Sequence, residues 1–366
     1  MYRTVMLDEK SLKLMREMME AFGPSGFERE VNSLLKGYME PISDEVITDK
    51  MGSVAFVAKG AERPRVLLAG HTDEVGFIVS SITDEGYLTF HQLGGWWDQV
   101  LLGHRVVVRG SHGDVHGVIA AKPTHIVSEE ERKKVLEKKD MFIDIGATSR
   151  AEVEESGIKV GDPAVPWSPF VLIQDGKVAM GKAFDDRIGA FIISEAIRRI
   201  KEQGLSHPNT VYGAATVQEE VGLRGAQTIA HVVDPDVAIV LEVDNAGDVP
   251  GIKPQEALAR MGKGPSLLTF DAGMIPNQPL KEWVIEVARQ AQIPLQLTLM
   301  KSGRTDGAPI HMSRAGCPTV VMGVPTRHIH SHVGLISLKD TENAVRLLIE
   351  LIKRLDKKTV EGFTSF

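Results

Sequence analysis

A single cysteine, Cys317, leaves this 366-residue chain with no disulfide to close within itself. That fits a reducing compartment, and the apolar setting "GCPTVVMG" makes Cys317 a packed thiol rather than a nucleophile. Aromatic residues are scarce, 5% with four tryptophans, which is thin for a groove that stacks sugar rings. Positive charge is not in excess: the formal net charge of −7 argues against a nucleic-acid partner, which favours a basic face. No uninterrupted apolar run reaches the roughly 18 residues of a membrane span. The opening stretch "MYRTVMLDEKSLKLMREMMEAFG" carries charges through its apolar positions, and Leu12, Met15, Met18, Met19 and Phe22 recur at helical spacing. It predicts an amphipathic helix, not a signal peptide. A soluble, cytoplasmic protein with no membrane partner is expected. Internal repeats and low-complexity tracts are also missing.

What is present is ordinary globular composition, 43% hydrophobic and 25% charged. The length suits two domains, or one large domain with an insertion. A "GPSGFE" loop follows the first helix, and a second helix is predicted from about 28 to 38. The runs "RVLLAG" (65–70), "TVYGAATV" (210–217), "DVAIVLEV" (236–243), "LQLTLM" (295–300) and "PTVVMGV" (318–324) read as buried strands. Helical patterns over 185–200, 279–291 and 339–355 alternate with them. Apolar strands alternating with helices predict an α/β fold with a mostly parallel sheet covered on both faces. Between 76 and 175 the pattern changes to short β runs broken by Gly, Asp and Ser turns, with one charged helical piece over 128–139. A small β-rich domain inserted at 76–175 is expected, the main domain being 1–75 together with 176–366.

Open α/β sheets bind ligands beyond the carboxyl ends of their strands. After "RVLLAG" come His71 and Asp73; after "TVYGAATV" come Glu219 and Glu220. "DVAIVLEV" carries Glu242, with Asp244 two positions on. After "PTVVMGV" come His328, His330 and His332. A further acidic pair, Asp185–Asp186, opens a helix just after the insertion. Taken singly, His71 could be a loop histidine, the Asp185–Asp186 pair a helix cap, and the terminal histidines surface residues. Glu242 in an apolar strand is harder to explain, because a buried unpaired carboxylate is costly. Together they predict a metal site for zinc, cobalt or manganese, with donors enough for two ions if one carboxylate bridges. Asp73 can take the other ring N–H of His71 and fix its tautomer.

The stretches "FGPSGFE", "AGHTDEVGF", "GKAFDDRIG", "TVQEEVGLRGA", "RTDGAPI" and "GVPTRHIHS" run in order along the chain. In these the sequence resembles the glutamyl and deblocking aminopeptidases that form tetrahedral dodecamers, some members of which carry an endoglucanase label. The resemblance also takes in "LGGWWDQVLLGHRV" and covers essentially the whole chain. It implies a zinc-peptidase-like catalytic domain, a dimerisation domain in the β-rich insertion, and two divalent ions per subunit. Zinc is expected first, with cobalt and manganese as alternatives. It further implies His71 (supported by Asp73), Asp185, Glu220, Glu242 and His330 as metal ligands, with Asp185 bridging, and Glu219 as general base. His328 and His332 are left as bystanders. The family's carboxylate at the Glu242 position is usually Asp, in a pattern like "LDVT". Here "LEVDN" places a longer side chain there, with Asp244 as the nearby substitute. The implied reaction is hydrolysis of the first peptide bond of short peptides, inside a homo-oligomer that is a dodecamer built from dimers.

Three other readings compete. Paired carboxylates also serve glycoside hydrolases, with "GGWWDQ" (94–99) as the best candidate for sugar stacking, read first as packing of the insertion or subunit contact. A non-catalytic metal-bound scaffold has no need of the extra Glu219. A related dinuclear amidohydrolase or carboxypeptidase shares the chemistry. The preferred first residue is not legible, although acidic Asp244 and Asp248 lean towards a basic side chain.

Overall fold

The computed structural model describes residues 7–365, so the first six residues of the expected amphipathic segment lie outside the described residues. The helix itself runs Glu9–Glu20, started by the Asp8 carboxylate accepting the Ser11 N–H, and buries Leu14, Met15, Met18 and Met19. Phe22 is buried just past its end. The second helix is Arg29–Met39.

Four parallel strands form the middle of the large sheet, in the order Thr210–Thr216, Arg65–His71, Val237–Asn245 and Thr319–Arg327. Alternate side chains of Arg65–His71 enter two cores. Val66 and Leu68 pack on one face with Phe191 and Leu348, and Leu67 and Ala69 pack on the other with Ile229 and Ala230. This two-sided burial is why the strand reads as an unbroken apolar run.

The flanks correct the expectation of a mostly parallel sheet. Glu45–Thr48 and Val54–Ala58 form an antiparallel hairpin on one side. Gly334–Ser337, Val178–Gly181 and Val171–Ile173 continue antiparallel on the other. The eleven-stranded sheet is therefore mixed, with antiparallel pairings in the majority. Apolar runs report burial on two faces, not strand direction, and tight connections such as that between Thr48 and Val54 can only join antiparallel neighbours.

The β-rich segment closes into a six-stranded antiparallel barrel from Gly76–Ile82 to Pro163–Pro166. Phe77, Val79, Leu88, Trp96, Val106 and Ile143 fill it. Its last strand ends short of the 175 boundary, because Val171–Ile173 already pairs in the large sheet. Of the charged segment over 128–139, only Glu129–Arg132 is α-helical; none of its residues is buried, so it has no apolar face to hold a longer helix. No helix among the described residues is long and apolar enough to cross a membrane.

A buried cluster ties the amino-terminal segment to the main sheet. The Arg187 guanidinium, fully buried, donates to the carbonyls of Met18, Ala21, Gly23 and Thr72 and pairs with Glu74. Lys182 shares the same Glu74 carboxylate. The loop after the first helix is thereby fixed against the strand end that carries His71.

Candidate metal centre

Each side chain at the carboxyl edge arrives from a separate element. His71 ends its strand, Glu242 sits near the end of Val237–Asn245, and Asp185 lies at the irregular start of the helix Phe184–Glu202. Glu219 and Glu220 follow Thr216, and His330 follows Arg327. One oxygen of Asp185 is 3.3 Å from His71 Nε2 and the other is 3.3 Å from His330 Nε2. Glu220 lies 3.5 Å from His330 Nε2, and Glu219 and Glu242 lie 3.7 and 4.0 Å from His71 Nε2. Two donors each about 2.1 Å from one tetrahedral ion stand about 3.4 Å apart. The spacing on both sides of Asp185 fits that value.

The nearest acceptor of each ring's Nδ1 is a backbone carbonyl. His71 Nδ1 is 3.0 Å from the Asp73 carbonyl, with the Asp73 carboxylate farther off at 3.4 Å. The Asp73 side chain is thus the farther of two acceptors near that N–H and does not hold it alone. Its two oxygens accept the Glu219 and Glu220 N–H groups at 3.0 and 3.1 Å, and Ser25 Oγ donates to it at 2.6 Å. His330 Nδ1 is 2.8 Å from the carbonyl of Gly95, which belongs to the segment after barrel strand Leu88–Leu93. With both Nδ1–H groups so engaged, both Nε2 atoms are left to face Asp185.

The glycines of "LGGWW" make that approach possible. Gly94 has φ of +78°, and a Cβ there would meet Val75 Cγ1 at 2.7 Å and Glu220 Oε2 at 3.0 Å. The segment therefore contributes to the centre itself, beyond the packing or subunit contact expected of it.

Further sequence expectations resolve in the geometry. Glu219 and Glu220 follow their strand, as expected, on a turn: Gln218 just before them is left-handed, with φ of +55°. Asp185 and Asp186 divide the two readings of their pair. Asp186 accepts the Gly189 N–H at 3.1 Å, as a helix cap does, and Asp185 faces the imidazoles. Asp244 is drawn away by the hydroxyls of Ser266 and Thr298, at 2.7 and 2.6 Å, and Asp248 is paired with Arg327. Both carboxylates are engaged within the protein, and neither is free to recognise a basic substrate. His332 stacks on His104 with ring centroids 4.1 Å apart, and His328 makes no contact with the cluster's carboxylates.

Sequence reasoning named Asp186 only as half of an acidic pair and passed over its grouping with His71 and Glu242, whose donor atoms lie close enough together for a cation. It also passed over Glu28 and Asp306, although both stand in quoted stretches, "FGPSGFE" and "RTDGAPI". Glu28 accepts the Gly26 and Gln218 N–H groups, and Asp306 accepts from Thr216 Oγ1.

Among the described residues no lysine or arginine pairs with Asp185, Glu219, Glu220 or Glu242. Burial, with neighbouring carboxylates adding to it, pushes the Glu219 and Glu242 carboxyls well up and Glu220 to about 7. For Asp185 burial is outweighed by hydrogen bonds from His330 and His71, which hold its carboxyl below the usual range. Glu220 Oε1 is buried with no hydrogen-bond partner. An orphaned carboxylate oxygen in an acidic cluster with only imidazoles for company fits divalent cations as the missing charge. Oxygen and imidazole donors suit zinc, cobalt or manganese. A cavity of about 740 Å³ opens over the cluster, walled by Leu223, Met300, Arg304 and Ile329.

The glycoside hydrolase reading loses its geometry here. Each of these carboxylates lies within 4.0 Å of an imidazole nitrogen, whereas glycosidase carboxyls face each other across a sugar.

Comparison with known proteins gives a consistent picture. A family model described as M42 glutamyl aminopeptidase matches residues 52–347. The crystal structure of a TET aminopeptidase from the marine sediment archaeon Thaumarchaeota archaeon SCGC AB-539-E09 is 74% identical, with a TM-score of 0.96 over 98% of this chain and 100% of that one. The lysyl aminopeptidase of Pyrococcus furiosus is 32% identical over 350 residues, 94% of this chain and 98% of its own. The TET1 peptidase of Pyrococcus horikoshii, described as assembling into a tetrahedron or a large octahedral shell, is 30% identical with a TM-score of 0.85, covering 94% of this chain and 100% of that one.

Proposed function

The chain belongs to the M42 glutamyl aminopeptidase family and is a metal-dependent aminopeptidase; from that premise we propose that it works with two divalent ions, bridged by Asp185, and with Glu219 as general base. The observation that carries the proposal is the placing of the two Asp185 oxygens, each 3.3 Å from a different imidazole Nε2. His71 and Glu242 would complete one ion's protein ligands, and Glu220 and His330 the other's. Zinc is the first candidate, and cobalt or manganese would suit the same donors. When bound, the ions would supply Lewis acidity for the scissile carbonyl and lower the pKa of an attacking water.

The chain's own residues do the rest. The Glu219 carboxylate takes the proton from the attacking water and delivers it to the leaving amine. Asp73 holds the N–H groups of Glu219 and Glu220, so base and ligand keep fixed positions relative to each other. Removal of metal with a chelator is expected to lower cleavage of aminoacyl chromogenic substrates at least about 100-fold, with recovery on adding zinc, cobalt or manganese. Substrates with a blocked amino terminus are expected to resist. Chelator-resistant cleavage, or equal cleavage of blocked peptides, would overturn the proposal. The same panel gives the preferred first residue, which membership does not settle: the family is described as glutamyl and the P. furiosus relative as lysyl.

The large-sheet domain is read as the zinc-peptidase-like catalytic unit and the barrel as a dimerisation domain. A homo-oligomer is supported by the P. horikoshii assembly, and we place twelve subunits, built from dimers, in a cytoplasmic cage that admits short peptides. Light scattering is expected to give the mass of about twelve 40.0 kDa chains. A stable monomer or dimer would contradict it.

A further inference from the structure

The turn that carries Glu219 and Glu220 is held from behind. Gln218, just before them, has φ of +55°, a conformation that non-glycine residues adopt only when their surroundings impose it. Three successive N–H groups, those of Gln218, Glu219 and Glu220, point at two buried carboxylates. Glu28 Oε1 takes the first at 3.0 Å, and Asp73 takes the second and third at 3.0 and 3.1 Å. Successive backbone N–H groups around a left-handed residue form a concavity that holds anions. Here it is filled by side chains of the same protein.

The far side of the turn is closed by its own backbone. Leu223 N donates to the Glu219 carbonyl, Arg224 N to the Gln218 carbonyl and Gly225 N to the Val217 carbonyl. The Gln218 side chain is occupied by Arg224, 3.0 Å away. On the near side the Gln218 N–H has the Glu28 carboxylate as its acceptor. The same Glu28 oxygen accepts the Gly26 N–H at 2.7 Å, which locks the side chain into its own loop. Glu28 is 5% exposed and lines no part of the cavity over the cluster, so neither solvent nor substrate accounts for a carboxyl group there.

We propose that Glu28 is a positioning residue for the hydrolytic centre: by accepting the Gln218 N–H it keeps the turn left-handed, and so aims Glu219 at the water and Glu220 at its ion. This rests on the roles proposed above for Glu219 and Glu220. It adds a second support from the amino-terminal loop, beside the Ser25–Asp73 contact.

The test compares Glu28→Ala and Glu28→Gln in the full-length protein, by calorimetric zinc titration and by steady-state kinetics at saturating zinc. Loss of a group that orients a ligand is expected to weaken zinc binding 10–100-fold in the Ala variant. A base displaced by about an ångström is expected to cost about 100-fold in kcat with KM little changed, since no wall of the cavity is touched. The Gln variant keeps an acceptor oxygen and is expected to restore both quantities. If the Ala protein does not fold, Glu28→Asp takes its place, because the shorter side chain cannot reach both N–H groups, and the same losses are expected. Unchanged zinc affinity and kcat in the Ala or Asp variant would overturn the proposal, as would a Gln variant impaired as severely as Ala. Glu219→Ala, assayed alongside with Glu28 intact, separates the two levels: full activity there would sink the base assignment itself, whatever Glu28 does.

Discussion

Glu219→Gln is expected to bind zinc and substrate as the unaltered protein does and yet turn over about 10³-fold more slowly, within the range a general base contributes. The two side chains have the same shape, so the substitution removes proton affinity and little else. Glu219 stands 3.7 Å from His71 Nε2, farther than Asp185 at 3.3 Å. It belongs to neither group of donor atoms close enough together for one ion, His71 with Asp185 and Glu220 or His71 with Asp186 and Glu242, and so need not be a ligand. The expected signature is a fall in kcat with KM and zinc stoichiometry preserved. If Glu219 were instead a ligand, zinc affinity would fall along with kcat. Wild-type kcat in the variant would remove Glu219 from the chemistry altogether.

The convergence of these residues was legible because it follows from sheet architecture. Parallel strands put their carboxyl ends on one edge, and the polar residues after each apolar run could be read directly. What was not legible depends on contacts between distant segments. Glu242 and Asp244 occupy the same face of one strand, two residues apart. They differ because Ser266 and Thr298, from the short strands Ser266–Leu268 and Gln296–Thr298, capture Asp244. Asp185 and Asp186 look alike as a helix-opening pair, and only the irregular backbone there, Asp185 with ψ of 109°, decides which one faces the imidazoles. The Gly95 carbonyl on His330 joins residues 235 positions apart, and a backbone oxygen carries no sequence signal. The same limit applied to the fold. Apolar runs identified the buried strands and short broken runs identified the barrel segment, but strand direction in the flanks was set by connections that hydrophobicity does not record.

Asp185→Asn is expected to have a different signature from Glu219→Gln, and this contrast tests the two-ion arrangement as a whole. Asp185 is the one carboxylate in the cluster whose two oxygens face different imidazoles. An amide offers one oxygen and one NH₂ group that can only donate, so it can serve one side at most. The lost negative charge also matters, because the cluster's remaining carboxyls are already pushed up by burial and mutual repulsion. Zinc titration is therefore expected to fall from two ions per chain to one or none. Activity is expected to fall by about 10³-fold or more, the scale of several kcal/mol of lost electrophilic stabilisation. Excess zinc should not restore it, which distinguishes a missing bridge from weakened affinity at an intact site. The residual ion, if one remains, should depend on the side the Asn oxygen faces. Replacing His71 or His330 by Ala in the Asp185→Asn background would then abolish binding in one case and spare it in the other. Two ions per chain with near-normal turnover in Asp185→Asn would mean that another carboxylate bridges, and Asp186, grouped with His71 and Glu242, would be the first to examine.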